Sequence, residues 1–322
     1  MDNMAGTALK EYDYLSSLAL ELGFPVRLLY SLSNGVWKHY REVTLPKRDG
    51  GSRTLSVPDE KLKVVQRRIA DVLLPLVPVS PYACAYRKGY DTVRNAKPHV
   101  GAPVVLKLDV HKFFDSIIFP QVKNKAFPRK LYSDKIRILL TILCMYKEAL
   151  PQGSPASPGI SNIIMRDFDD NVGTWCKERG IAYTRYCDDM TFSGDFDPGA
   201  VIDLVRCELR KMGLFLNNKK TVIARNGQKK QVCGIIVNEK ISVPKEYRRE
   251  IRKEVYYCCK YGVVEHLKRT GRDEDPLTYL RGLAGRISYV KSVYSRTDNE
   301  YTEVLSGYLR MINAEIVKLS LV

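Results

Sequence analysis

Apolar residues recur at helical spacing in Leu15, Leu18, Ala19 and Leu22, and again in Leu28, Leu29, Leu32 and Val36. This predicts two short helices broken near Gly23 and Pro25. The period then shortens to two. Tyr40 to Pro58 alternates on either side of Gly50-Gly51, the pattern of a β-hairpin. Residues 59–76 return to helical spacing, with Leu62, Val65, Ile69, Val72 and Leu73 on one face and a stop at Pro75 and Pro78. Val104 to Val110 is a β-branched run that delivers an acid, Asp109, near its end. Helices are expected at about 120–127 and 133–149. The proline-rich stretch Leu150 to Pro158 then opens onto a helix through about Gly173, with Ile160, Ile163, Ile164 and Phe168 inward. A hairpin around Arg185 to Phe192, a helix from about Pro198 to Met212 and strands ending near Ile223 and Val237 follow. From about Pro244 the pattern is helical, with Arg248, Arg249, Arg252 and Lys253 on one side and later Arg281, Arg286 and Lys291.

Charge adds a partner to this picture. The chain of 322 residues carries 52 Lys and Arg against 36 Asp and Glu, a net charge of +16, which favours a polyanion such as nucleic acid. An acidic membrane surface would attract it too, but no run of about 18 uncharged apolar residues is present and Met1-Asp2-Asn3-Met4 lacks a basic-then-apolar leader. A cytoplasmic protein with no membrane partner is therefore expected. The eight cysteines agree: they are scattered, apart from Cys258-Cys259, and form neither a zinc spacing nor a disulfide framework.

The chemistry concentrates at two places. Asp188 and Asp189 interrupt a run of strand-forming residues, which fits either a turn acid pair or a cation site. Asp109, at the end of its own buried strand, fits either an N-cap or a ligand at the rim of a sheet. Two such segments joined by a helical crossover can be neighbours in one sheet. Three carboxylates meeting there would repel strongly without divalent cations, for which magnesium is the natural choice. Two such ions are the usual device of in-line phosphoryl transfer. Because adjacent strand side chains point to opposite faces, Asp188 is expected to pair with Asp109 and Asp189 to play a supporting part. Lys47, Arg48 and Arg53 at the first hairpin suit either a bound triphosphate or a solvated tip.

These residues, taken in order, resemble the bacterial retron reverse transcriptases, and the likeness runs almost end to end. Asp109 with Phe113-Phe114 is similar to the family's first catalytic motif, Gln152-Gly153-Ser154-Pro155 to its second, and Tyr186-Cys187-Asp188-Asp189 to its Tyr-x-Asp-Asp box. Gly213-Leu214 through Lys220-Thr221 resembles the motif that supplies a lysine. Asn95-Ala96-Lys97-Pro98-His99 fits the retron Asn-Ala-x-x-His signature, and Val232-Cys233-Gly234 stands where Val-Thr-Gly is usual.

The resemblance implies an α+β right-hand polymerase: N-terminal helices and a fingers hairpin in 1–100, a palm of antiparallel sheet plus helices in 101–237 with part of the fingers at about 120–150, and a helical thumb in 238–322. It implies that Asp109, Asp188 and Asp189 hold two Mg²⁺ ions. Lys47, Arg53, Gln152 and Gly153 would bind the incoming deoxynucleoside triphosphate, and Phe114 would exclude a ribose 2′-hydroxyl. Lys220, or its neighbour Lys219, would protonate the leaving pyrophosphate. Tyr186 would lie beside the primer end, while Asn95, His99, Val232, Cys233, Gly234 and Arg281 would contact RNA. The implied partners are a cognate structured noncoding RNA, its short single-stranded DNA product (msDNA), primed from an internal guanosine 2′-hydroxyl, and an effector protein in phage defence. A group II intron-like or diversity-generating reverse transcriptase and a catalytically idle RNA-binding scaffold are the competing assignments.

Overall fold

The helices Leu15–Leu22 and Val26–Ser33 form where the apolar spacing puts them, and Gly23, at φ +77°, turns the chain between them. Val36 falls outside the second helix and opens a separate 3₁₀ turn, Val36–His39. The computed structural model describes residues 15–46, 50–295 and 298–320. The chain divides into two units, one of 1–91 with 106–223 and one of 92–105 with 224–322.

In the first unit, β1 (Tyr40–Pro46) and β2 (Ser52–Pro58) form the expected antiparallel hairpin, Tyr40 facing Pro58 and Leu45 facing Arg53. Lys47 and Arg48, at its tip, lie outside the described residues. The helix Glu60–Val72 starts at Asp59, whose carboxylate accepts the Leu62 N–H at 2.9 Å. The helix expected to run to 149 stops at Cys144. Lys147 and Glu148, at φ 50° and 61°, make a tight turn instead, and Tyr146 and Ala149 exchange backbone hydrogen bonds at 3.0 and 3.1 Å. The single helix expected after the proline-rich loop is two, Ser157–Ile164 and Arg166–Lys177. Ile160, Ile163, Ile164 and Phe168 are all buried across that break, so the hydrophobic period does not reveal it.

The sheet that carries the chemistry has the order β4–β5–β3–β6, with β3 Val104–Asp109, β4 Ala182–Tyr186, β5 Asp189–Gly194 and β6 Val222–Ala224. β3 is buried along almost its whole length because helices cover the sheet, which is why it reads as an unbroken apolar run. Leu106, Leu108, Met190 and Phe192 from the strands join Ile160, Phe168 and Val205 from the helices in one core.

The second unit is mainly helical: Lys245–Tyr261, Val263–Thr270, Pro276–Tyr294 and Asn299–Ser320. Its core joins Val93 and Ala96 to Val232, Ile235, Ile251, Leu283 and Ile287. The strand expected over 231–237 is a small hairpin, β7 (Gln231–Val232) and β8 (Ile235–Ile236). Cys233 and Gly234 make its turn at φ 46° and 83°, the left-handed pair that a two-residue hairpin demands. Among the described residues no single helix is long and apolar enough to cross a membrane.

Candidate active site

Asp109 sits at the end of β3, 4% exposed, and its two carboxylate oxygens are both engaged. Lys220 Nζ donates to Oδ2 at 2.7 Å and Asn217 Nδ2 to Oδ1 at 3.1 Å, while the Asn217 N–H bonds the Asp109 backbone carbonyl at 2.8 Å. That hydrogen bond raises the Lys220 ammonium above its ordinary value. Lys220, not Lys219, is therefore the lysine that the 3₁₀ turn Asn218–Lys220 turns onto Asp109.

The Asp pair does not occupy one strand. Tyr186 and Asp189 are the last paired residues of β4 and β5, so the two-residue turn is Cys187-Asp188, with Cys187 at φ 62°. Asp188 thus leaves from the turn and Asp189 from the first strand position, so strand alternation does not relate the two side chains. The turn is tied to the end of β3 by the Val110 N–H, which bonds the Asp188 carbonyl at 3.2 Å. The Asp189 carboxyl is pushed up to about 6, although the residue as a whole is exposed: loss of hydration where the protein covers the carboxyl is the largest cause, then the charges of Asp188 and Asp109, with Lys220 and Lys107 opposing.

Among the described residues no three Asp, Glu, His or Cys side chains are gathered closely enough to hold an ion as they stand. The donor set nonetheless fits a hard divalent cation. Its donors are carboxylate oxygens, the charges of Asp188 and Asp109 both bear on Asp189, and the Lys220 ammonium already places a positive charge on Asp109.

The neighbouring sequence candidates fall into distinct positions. Phe113 is buried at 3% exposure while Phe114 is half-buried, and their rings meet edge to face at 5.3 Å. Gln152 is half-buried, and its carbonyl accepts the Ser56 N–H at 2.8 Å, which joins the proline-rich loop to β2. Gly153 is obligatory there: it sits at φ +128°, and a Cβ would stand 2.7 Å from the Ser56 carbonyl oxygen. Arg53 is exposed on β2, and Tyr186 is half-buried at the end of β4.

The remaining candidates belong to the second unit. Asn95 and His99 are fully buried there, and the Asn95 amide donates to Cys233 Sγ at 3.3 Å, so the two segments carrying the retron-like signatures meet. Burial pushes the His99 imidazole down to about 4. Val232 is buried behind the turn, Gly234 follows Cys233, and Arg281 is exposed on the helix Pro276–Tyr294 beside Gly282, where an added Cβ would meet nothing. Arg286 is not a free surface cation. It and Arg272 both pair with Glu254, which is 5% exposed.

Sequence reasoning missed two buried networks. Gln66 donates to the Tyr40 hydroxyl at 2.7 Å and the Leu143 carbonyl at 2.8 Å and accepts from the Ser154 hydroxyl at 2.8 Å, fixing the loop that carries Gln152. Arg185, beside the Cys187-Asp188 turn, pairs with Asp169. An Arg inside an apolar strand was the available signal, since a buried charge requires a partner.

Comparison with known proteins agrees with this geometry. Residues 45–266, more than half of the chain, match the family described as reverse transcriptase (RNA-dependent DNA polymerase). The chain is 32% identical to the retron Ec86 reverse transcriptase of Escherichia coli over 71% of its own length and 73% of that protein. It is 31% identical to the retron Ec83 enzyme of Escherichia coli, over 82% of this chain and 88% of the relative. The figure is also 31% for the retron Mx65 enzyme of Myxococcus xanthus, over 79% of this chain and only 61% of that longer protein. Its α+β architecture is that of a right-hand polymerase. The chain belongs to the retron reverse transcriptases.

Proposed function

We propose that this protein is an RNA-directed DNA polymerase that copies part of its cognate retron noncoding RNA into a short single-stranded DNA, the msDNA, primed from an internal guanosine 2′-hydroxyl. The observation that carries the reading is the junction of β3 with the β4–β5 turn: Val110 bonds Asp188 directly after Asp109, so the acids of two distant segments share one rim. Residues 1–100 serve as N-terminal helices and fingers hairpin, 101–237 as palm and 238–322 as thumb.

Asp109, Asp188 and Asp189 would hold Mg²⁺, and two bound ions supply Lewis-acid activation of the attacking hydroxyl and neutralisation of the triphosphate. The protein's own groups do the rest. Arg53 and Lys47 bind the triphosphate, and Gln152 and Gly153 line the nucleotide pocket. The half-buried face of Phe114 lies under the sugar and rejects a 2′-hydroxyl by bulk. Lys220, bonded to Asp109 with its side chain 58% exposed, gives its proton to the departing pyrophosphate. Tyr186 supports the primer end. Asn95, His99 and the Val232-Cys233-Gly234 turn hold the cognate RNA, and Arg281 contacts backbone phosphate. An effector protein in a cytoplasmic phage-defence system completes the set of partners.

Sequencing the nucleic acid that co-purifies with the protein tests the retron part of this reading. A uniform short DNA joined covalently to RNA is expected. Heterogeneous cellular RNA with no attached DNA would contradict it.

A further inference from the structure

Arg185 is wholly buried, and its guanidinium bonds Asp169 and Cys187, both within the first unit. Nε donates to Asp169 Oδ1 at 2.8 Å and Nη2 to Asp169 Oδ2 at 2.6 Å, a two-pronged pair with a carboxylate that is itself fully buried. Tyr183 adds its hydroxyl to Asp169 Oδ1 at 2.8 Å. The remaining arm, Nη1, donates to the carbonyl of Cys187 at 2.8 Å. Cys187 is the residue of the turn held at φ 62°, a conformation that a non-glycine residue keeps only when its surroundings impose it.

We propose that Arg185, anchored by Asp169, is a positioning residue of the catalytic turn, fixing the Cys187 peptide and hence the direction in which Asp188 leaves it. The turn is then pinned from two sides, by Arg185 on the Cys187 carbonyl and by Val110 on the Asp188 carbonyl. A buried ion pair is a weak source of stability, because apolar residues of similar volume often replace one at little cost. Geometry is what apolar residues cannot supply here. Lysine cannot supply it either, since one ammonium lacks the planar fork that grips Asp169 while reaching a third acceptor.

The test compares wild type with Arg185→Lys and with the double variant Arg185→Met/Asp169→Leu. Hydrogen exchange across 186–189, thermal melting and steady-state kinetics are measured for each. The expected result is a folded double variant and a folded Arg185→Lys. In both, exchange in that peptide rises about tenfold, and kcat falls about a hundredfold while the KM for deoxynucleotide stays within about twofold. Wild-type exchange and kcat in either variant would overturn the proposal. So would loss of folding in both, which would make the pair a stability element. The kinetic arm rests on the polymerase reading and the exchange arm does not, so an inert wild-type protein would refute that reading while exchange still decides the role of Arg185.

Discussion

Phe113 and Phe114 are adjacent aromatic residues with different work to do, and only the backbone separates them. Phe113 is core, so Phe113→Ala is expected to cost about 3–5 kcal/mol of stability with sugar discrimination unchanged. Phe114→Ala removes bulk from a half-buried face, and ribonucleotide incorporation relative to deoxynucleotide is expected to rise by about tenfold or more. Single-nucleotide kinetics with both sugars, together with melting curves, check the pair. The lysines divide in the same way. Lys220→Ala is expected to lower kcat on the order of a hundredfold, whereas Lys219→Ala, which leaves the Asp109 bond intact, keeps activity near wild type. Equal losses in both would remove Lys220 from its assigned role. Sequence left these two lysines open because their directions depend on a 3₁₀ turn and on Asn217 anchoring to Asp109, neither of which has a periodic signature.

Elements are legible where a cap or a glycine pair marks the end of a period, and an unmarked break, as between Ile164 and Arg166, leaves the period running on. The helix Glu60–Val72 and the β1–β2 hairpin follow from spacing, an N-cap and Gly50-Gly51. Lys147, Glu148 and Cys187, by contrast, turn the chain at positive φ, where such side chains are uncommon, so spacing alone extends one helix too far and puts the Asp pair on strand geometry. The Arg185–Asp169 pair joins residues 16 apart on different elements, and composition alone does not match a buried charge to its partner. Gly173 illustrates packing of the same nonlocal kind. A Cβ there would stand 2.1 Å from the Tyr82 ring, so Gly173→Ala, despite the better helix propensity of alanine, is expected to destabilise the protein by about 1–3 kcal/mol. A denaturant titration measures it, and a neutral or stabilising result would mean that Tyr82 is free to move aside.

At the scale of the whole molecule, the excess of 16 positive charges implies binding dominated by phosphate. RNA affinity is expected to fall linearly on a log–log plot against salt. Arg281→Ala is expected to weaken binding uniformly across sequences and to reduce the slope by about one. A slope unchanged in the variant would place Arg281 off the nucleic acid. Charge and the motif order made the partner class readable from sequence, whereas the assembly of the rim, through Val110 on Asp188 and Lys220 on Asp109, needed the fold. That rim is the central claim, and one measurement addresses it most directly: Mg²⁺-dependent incorporation of deoxynucleotides on a primed RNA template, wild type against Asp188→Asn. Wild type is expected to extend the primer only with Mg²⁺ present and the variant to lose about a thousandfold or more, several kcal/mol of transition-state stabilisation. A folded wild-type protein as inert as Asp188→Asn, or a variant as active as wild type, would contradict it.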